Sequence, residues 1–404
     1  MTGQGKLRVL LLENIHPNAV VRLEAEGYSV ESVSSALDEA ELIERIAGVH
    51  LLGIRSKTRV TEAVLAAAGD LVGIGAFCIG TDQIDLAAAS RAGVGVFNAP
   101  FSNTRSVVEL AIAEIIMMAR RLSEKNSRMH EGVWDKAAEG SHEVRGRKLG
   151  IVGYGNIGTQ LSVLAEALGM RVYFYDTADK LALGNAQRCD TLDELLETVE
   201  VVTLHVDGRP GNSGFFGAAQ FAKMRPRSLF LNLSRGFVID YAALRDNIAS
   251  GHVAGAAVDV FPNEPKGRGD EFTSELRGLP NVILTPHIGG STEEAQADIG
   301  GFVANKLAQF AGEGNTTLSV NLPPIALPQQ GATHRTAHLH TNTPGVLAQV
   351  NSILAEHGVN VEGQVLATRG EYGYLLTDIG LNYADEVLAQ LRAMPQTVRL
   401  RTLS

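Results

Sequence analysis

The feature that most constrains this chain is a strict alternation of short apolar runs with amphipathic stretches, repeated in two series. In the first, Leu7–Leu12, Tyr28–Val33, His50–Ile54, Leu71–Ala76 and Val94–Phe97 read as strands. Between them Asn18–Glu26, Asp38–Ile46, Thr61–Ala68 and Asp85–Ala92 carry apolar residues at helical spacing. Such an order predicts a parallel sheet wrapped by helices, because consecutive parallel strands need a crossover. The second series begins at Lys148–Val152 and runs through Val172–Tyr175, Val201–His205, Leu229–Leu233, Ala254–Val258 and Val282–Thr285. Residues 103–121 form one long helical pattern that reads as a connector, and residues 294–311 are helical again and are expected to pack back onto the first domain. The expected fold class is α/β, with two doubly wound parallel-sheet (Rossmann-like/flavodoxin-like) domains.

A length of 404 residues suits two or three such units. The stretch 312–331, with Pro323, Pro324 and Pro328, reads as a linker. After it come a strand (334–341), a helix (344–356), two strands about Arg369-Gly370-Glu371, a helix (384–393) and a strand (397–403). This βαββαβ order predicts a small ferredoxin-like module. A formal charge of −10 without a basic run argues against a nucleic-acid partner. Two cysteines, Cys78 and Cys189, make neither a disulfide framework nor a thiolate metal site and fit a reducing compartment. The first apolar run is too short for a signal peptide or membrane span, so a cytoplasmic protein with no membrane partner is expected.

Chemistry enters at Gly153-Tyr154-Gly155-Asn156-Ile157-Gly158, which follows an apolar strand and opens a helical pattern. There the glycines serve a tight turn, close approach of backbone to a pyrophosphate, and close helix–strand packing. The next strand ends at Asp176, where a carboxylate meets ribose hydroxyls and disfavours a ribose phosphate. The expected cofactor is therefore NAD rather than NADP; the other reading of Asp176 is a solvated strand end.

Three further strand ends carry polar residues: Asn232-Leu233-Ser234-Arg235-Gly236, Asp259-Val260-Phe261-Pro262-Asn263-Glu264-Pro265 and Thr285-Pro286-His287-Ile288-Gly289-Gly290. Hydride transfer from an alcohol needs a base for the hydroxyl proton, and His287 suits that role. Glu264, hydrogen-bonded to it, would raise its pKa, and Arg235 can grip a carboxylate with two parallel bonds. Taken singly, a capped turn, a surface acid and a surface ion pair are the plainer readings.

These segments, with Phe77-Cys78-Ile79-Gly80-Thr81, residues 98–107, Thr159-Gln160-Leu161 and residues 285–292, resemble the D-2-hydroxyacid dehydrogenase family over essentially the whole chain. Within it the likeness is to the serine-regulated D-3-phosphoglycerate dehydrogenases with a C-terminal ACT domain. The resemblance implies a discontinuous substrate-binding domain (1–102 and 290–322), an NAD-binding Rossmann domain (103–289) and an ACT domain (333–404). It implies Arg235, Glu264 and His287 as the catalytic set. It implies cofactor contacts at Gly153, Gly155, Asn156, Ile157, Gly158, Asp176, Leu233, Ser234, Arg235, Asp259, His287, Ile288, Gly289 and Gly290, with Asp259 on the nicotinamide side.

Arg55-Ser56-Lys57-Thr58 puts two cations and two hydroxyls at a strand end, which suits a phosphate; a solvated loop before the helix at Thr61 is the other reading. The resemblance assigns Arg55, Ser56 and Lys57 to the substrate phosphate, and Lys136, near Trp134, to the same role from a neighbouring subunit. A further lysine that some relatives place just before the Ala-Leu-Asp segment is absent here, where Ser34 and Ser35 precede Ala36-Leu37-Asp38. In the C-terminal module His334, His338 and His340 share one strand face, but no acid or cysteine accompanies them and no metal is expected. The resemblance instead implies serine contacts at His340, Asn342 and Asn360, with a purely dimerising module as the alternative. The activity implied is NAD-dependent oxidation of 3-phospho-D-glycerate to 3-phosphohydroxypyruvate, the entry to serine, in a homotetramer inhibited by serine. Alternatives are a dehydrogenase for another D-2-hydroxy acid, such as 2-hydroxyglutarate or glycerate, and a non-catalytic NADH-sensing protein.

Overall fold

A computed structural model describes residues 6–265, 269–328, 334–380 and 385–403. The first hundred residues form β1 (Arg8–Leu11), α1 (Pro17–Ala25), β2 (Ser29–Ser32), α2 (Glu39–Arg45), β3 (Leu51–Ile54), α3 (Glu62–Ala67), β4 (Gly73–Ala76), α4 (Leu86–Arg91) and β5 (Gly95–Asn98). The strands pair in parallel in the order β2-β1-β3-β4-β5. Asp38, Thr61 and Asp85 cap α2, α3 and α4 by accepting a backbone N–H, which fixes where each helix starts. β3 and β4 are buried along their full length, as expected of parallel strands covered on both faces.

Next come α5 (Thr104–Ala119), α6 (Leu122–His130), β6 (Lys148–Val152), α7 (Asn156–Ala167), β7 (Arg171–Tyr175), β8 (Gln187–Arg188), α8 (Leu192–Thr198), β9 (Val201–Leu204), α9 (Ala218–Lys223), β10 (Ser228–Asn232), α10 (Tyr241–Ala249), β11 (Val253–Val258) and β12 (Val282–Leu284). They build a parallel sheet in the order β12-β11-β10-β9-β6-β7-β8. The stretch read as a connector is a core helix of this unit. Val108, Ala111, Ile115 and Met118 of α5 are buried with Leu149, Ile151, Leu161 and Leu231. The helical pattern also ends earlier than expected, because Arg121 takes a left-handed φ of 53° and α6 starts afresh.

The chain closes with α11 (Glu293–Glu313), β13 (His334–Thr341), α12 (Val346–Glu356), β14 (Val361–Arg369), β15 (Tyr372–Ile379), α13 (Asp385–Ala393) and β16 (Thr397–Leu403). The expected start of the last helix at 384 and the end of the proline-rich stretch at 329–331 lie outside the described residues. Two compact units result, one running to Pro100 and resuming at Gln296, the other spanning Phe101–Ala295. In the first, Val303, Leu307 and Phe310 of α11 lie against β4 and β5; a Cβ on Gly75 would sit 2.6 Å from Val303 Cγ1, so only glycine admits the helix there. The segment after α11 is folded rather than free: Thr316, Leu322 and Ile325 are buried, and Val320 N–H donates to Val96 O.

β13–β16 form an antiparallel sheet in the order β14-β15-β13-β16, giving the βαββαβ module. The α/β class read from the sequence, with its third module, is borne out. Val350, Leu354, Val387 and Leu391 of α12 and α13 cover one face. On the other, Ala337, Leu339, Tyr374 and Leu376 share a core with Phe310, Leu322 and Ile325 of the same unit. Arg335 grips Asp378 through two bonds of 2.6 and 2.7 Å, with both side chains nearly excluded from solvent, and donates to Glu313 O. Asp378→Ala leaves that guanidinium buried without its carboxylate, so unfolding in denaturant should lose about 3 kcal/mol. An unchanged midpoint would show that the pair holds nothing.

Candidate active site

β6 ends in the middle of its sheet, between β7 and β9, at the strand-order reversal where open α/β sheets bind ligands. Gly153, at φ 93°, turns the chain there and donates to Tyr175 O at 2.9 Å. A Cβ on it would meet His205 O at 2.7 Å, and one on Gly158 would meet Gly153 O at 2.3 Å. Gly155, the N-cap of α7, has open space beside it, so the bare helix N-terminus is reachable by an anion. Asp176 accepts Tyr154 N–H and Ala178 N–H, each at 2.8 Å, which fixes its carboxylate at the end of β7 while leaving lone pairs for hydroxyl donors. A cavity of about 330 Å³ lies alongside, lined by Tyr154, Gly155, Asn156, Thr159, Lys180, Leu181 and Leu183. A glycine cradle, a free helix N-terminus, a pinned carboxylate and a cavity fit a dinucleotide.

The three polar segments converge within the same unit. After β10, Asn232 knots its own turn: its Oδ1 accepts Ser234 N–H at 3.1 Å and Oγ–H at 2.7 Å, and its Nδ2 donates to Arg235 O at 3.1 Å. Gly236 lies flat on the Phe261–Pro262 peptide, where a Cβ would sit 2.0 Å from Phe261 C, so a side chain here would push Arg235 away from the Glu264 loop. Glu264 accepts Phe261 N–H at 3.1 Å and holds His287 Nδ1 at 2.9 and 3.1 Å from its two oxygens.

The hydrogen bond to Glu264 raises the His287 pKa; partial burial opposes it, and the charges of Glu264 and Asp259 add to the rise while Arg235 works against it. Burial alone would lift the Glu264 carboxyl, but the His287 hydrogen bond and charge, the Phe261 N–H and the Arg235 charge outweigh it and hold it low. The charged pair therefore persists between those two values, and its stabilisation is lost as pH rises through the raised His287 pKa or falls through the lowered Glu264 pKa. With Nδ1–H committed to Glu264, Nε2 keeps its lone pair for a substrate proton.

Asp259 has a role the sequence does not reveal. Its buried carboxylate accepts Thr285 Oγ–H at 2.7 Å and the N–H groups of Ile288 and Gly289, both at 2.8 Å. These bonds shape the turn in which His287 adopts a left-handed φ of 54°. Behind it, Glu114 of α5 is 1 % exposed, and both its oxygens lack a partner among the described residues. Burial, together with the Asp259 charge, pushes it up to about 8, so it is mostly a neutral acid at pH 7. Ser106 and Thr292, 2.8 Å apart through their hydroxyls, tie α5 to the same loop. The available signal was a glutamate flanked by two apolar runs, Leu110–Ala113 and Ile115–Ala119.

Of the other expected positions, Leu233, Ser234 and Gly289 are buried, Ile157 and Gly290 half-buried, and Asn156 and Ile288 exposed. Lys136 is exposed, as is Trp134. In the other unit, Arg55, Ser56 and Lys57 lie in the loop after β3. Asn342 and Asn360 are exposed, whereas the His340 ring is buried over Gly373, with Nδ1 donating to Thr341 O at 2.8 Å. Beside it His338, bonded through Nε2 to Thr397 Oγ, is held by burial at a pKa of about 4. Among the described residues no cluster of histidine, cysteine or acid is placed to hold a metal ion, and no helix is long and apolar enough to cross a membrane.

Comparison with known proteins agrees with this geometry. Residues 112–289 match the D-isomer specific 2-hydroxyacid dehydrogenase NAD binding domain, and residues 337–399 an AHAS small subunit-like ACT domain. The chain is 50 % identical to D-3-phosphoglycerate dehydrogenase of Escherichia coli K12 over 98 % of both chains. It is 48 % identical to that of Dictyostelium discoideum over 98 % of this chain and 97 % of the other. Among solved structures, D-lactate dehydrogenase from Aquifex aeolicus, complexed with NAD and lactic acid, matches with a TM-score of 0.67 at 25 % identity, over 75 % of this chain and 95 % of that one. The fold and site thus define an NAD-dependent D-2-hydroxyacid dehydrogenase. At this level of likeness across its length, the chain belongs to the D-3-phosphoglycerate dehydrogenase family.

The Glu264–His287 bond makes a pH prediction. An imidazole can take a hydroxyl proton only when neutral, so with His287 as the base the acid limb of the kcat/KM profile is expected to follow its raised pKa. Glu264→Gln removes the cause of the rise. The limb should move to lower pH while kcat falls by about 10²-fold or more. A limb that stays in place would assign the titration to another group.

Proposed function

We propose that this protein oxidises 3-phospho-D-glycerate to 3-phosphohydroxypyruvate with NAD, the step that enters L-serine synthesis. The observation that carries the chemistry is the His287–Glu264 pair with Arg235 beside it in the electrostatics of one unit. NAD, when bound, accepts the hydride from C2 of the substrate. His287 Nε2 takes the hydroxyl proton, so the C2–H and O–H bonds are replaced by a carbonyl. Glu264 stabilises the imidazolium that forms, and Arg235 pairs with the substrate carboxylate to orient C2. Gly153, Gly155, Asn156, Ile157 and Gly158 would hold the pyrophosphate end and Asp176 the adenosine ribose. Leu233, Ser234, Arg235, Asp259, His287, Ile288, Gly289 and Gly290 would line the nicotinamide side. His287→Asn should abolish turnover and leave NADH binding, read by fluorescence titration, within about two-fold. Arg235→Ala should raise KM more than it lowers kcat, and retained turnover in the first variant would remove the base from this account.

The phosphate is assigned to Arg55, Ser56 and Lys57, joined by Lys136 of a neighbouring subunit. The E. coli, D. discoideum and Saccharomyces cerevisiae relatives all carry the phosphoglycerate name, which favours this substrate over glycerate or 2-hydroxyglutarate. Trp134 is 78 % exposed, with Leu122, Met129 and Val133 also exposed, an apolar patch that suits a second copy of the chain. A homotetramer follows if the ACT modules pair as well. We assign serine to His340, Asn342 and Asn360 of the ACT module; within one module His340 and Asn342 stand at the Gly373 end of the sheet and Asn360 at the Ile379 end, so these contacts come together only where two modules pair. Serine titrated against initial rate should inhibit, and Asn342→Ala with Asn360→Ala should abolish the response without altering the uninhibited rate. A flat titration on the parent protein would leave the module a dimerising element.

A further inference from the structure

The loop that follows β3 is shaped from beneath by one acid that no part of the mechanism uses. Glu13 is 8 % exposed, and its carboxylate accepts three backbone donors of that loop. Arg55 N–H lies 3.2 Å and Thr58 N–H 2.8 Å from Oε1, and Lys57 N–H lies 3.0 Å from Oε2. The other side of the loop is held by Gln83, whose Nε2 donates to Arg55 O at 2.6 Å. Among the described residues no lysine, arginine or histidine forms an ion pair with Glu13, so its charge is met by N–H dipoles. Three convergent N–H groups form an anion-binding concavity of the kind that could itself cradle a phosphate. Here it is already filled from within.

The backbone confirms that this placement is enforced. Glu13 and Asn14 both take left-handed φ values, 66° and 52°. Asparagine tolerates that region; glutamate is uncommon there. The two residues are pinned as Glu13 N–H donates to Ser35 O at 3.1 Å and Asn14 N–H to Val33 O at 3.2 Å. Glu13 thus joins the loop after β2, which carries Ser34 and Ser35, to the loop after β3, which carries Arg55 and Lys57. Ser56 and Lys57 are exposed and Arg55 half-buried, while Thr58 is fully buried. The carboxylate lies on the inner side of the loop and the cations on its outer side.

We propose that Glu13 is a positioning residue of the substrate's phosphate subsite: by occupying the backbone donors of residues 55–58, it commits phosphate recognition to the side chains of Arg55 and Lys57. This rests on the assignment of those cations to the phosphate. An apolar residue in its place would leave three loop N–H groups without this acceptor, that of Thr58 buried, and free the loop to drift, and misplacement by about 1 Å is enough to cost an order of magnitude or more in a positioned reaction.

The test uses the full-length protein. Glu13→Gln keeps the shape and one acceptor oxygen; Glu13→Gly removes the side chain at a φ that glycine prefers, so the backbone itself is relieved. Both should raise KM for 3-phosphoglycerate, about ten-fold for glycine and less for glutamine, with kcat and the NADH dissociation constant within about two-fold of the parent. In an Arg55→Ala, Lys57→Ala background the Glu13→Gln effect should largely vanish, since Glu13 acts through those residues. An unchanged KM in both single variants, a loss confined to kcat, or full additivity with the cation variants would each overturn the proposal. If Arg55→Ala with Lys57→Ala leaves KM unchanged, the phosphate assignment itself is overturned. If those substitutions raise KM and the Glu13 variants do not, only the role of Glu13 is lost. Thermal unfolding of each variant separates a KM effect from partial unfolding.

Discussion

The chemistry depends on the acceptance of three hydrogen bonds by the Asp259 carboxylate. It takes Thr285 Oγ–H and the N–H groups of Ile288 and Gly289. Together with the His287 N–H bond to Thr285 O, that clamp fixes the turn in which His287 takes a left-handed φ and its Nδ1 meets Glu264. The Asp259 charge also helps raise the His287 pKa. One carboxylate therefore sets both where the base stands and how strongly it holds a proton. Its own negative charge is tolerable in a buried place because donors surround it and because its neighbour Glu114 gives up ionisation instead.

The same device recurs at other strand ends. After β1 Glu13 collects three loop N–H groups, after β7 Asp176 collects two, and after β11 Asp259 collects two with a hydroxyl. The reason is general: at the carboxyl edge of a parallel sheet the chain turns toward a helix N-terminus, where backbone N–H groups lack partners, and an acid satisfies several at once. A loop tied in this way has one shape before any ligand arrives, and pre-organisation of that kind is what a hydride transfer needs.

Much of this architecture was legible in the residues because its cause is local. Runs such as Leu51–Ile54 are apolar throughout when both sheet faces are covered, and caps such as Asp38 and Thr61 mark helix starts within a residue or so. The grouping of Arg235, Glu264 and His287 was legible for a different reason: each sits just past a strand end, where position in sequence implies position at one edge. What escaped notice depends on partners far apart in the chain. Nothing around Glu13 announces that its side chain will serve residues 55–58, and nothing around Asp259 points to residues 285–289. The break at Arg121 needs a backbone conformation that an arginine rarely signals, and β8, two residues long, has no period to detect. The His340 ring turns inward because the facing residue, Gly373, leaves room for it, a cross-strand relation that only the β13–β15 register discloses.

At the opposite kind of terminus the charges reverse. At the end of α11 the ACT module meets backbone carbonyls with cations: Arg401 donates to Phe310 O, which also accepts Gly314 N–H, and to Ala311 O, and Arg335 donates to Glu313 O. Arg399 reaches the carbonyls of Leu71 and Ala92, beyond α3 and α4, and Arg369 those of Ser319, Val320 and Leu322. A guanidinium suits this task because its planar fork can serve several carbonyls at once without losing its charge. Cations at helix C-termini are favoured by the macrodipole, and the apolar core that Ala337, Leu339 and Tyr374 share with Phe310 supplies the rest. A module held mainly by apolar area would slide at little cost in direction. One that also reads individual carbonyls is fixed in register, so a displacement of its sheet by a residue would strand buried guanidiniums and carbonyls together.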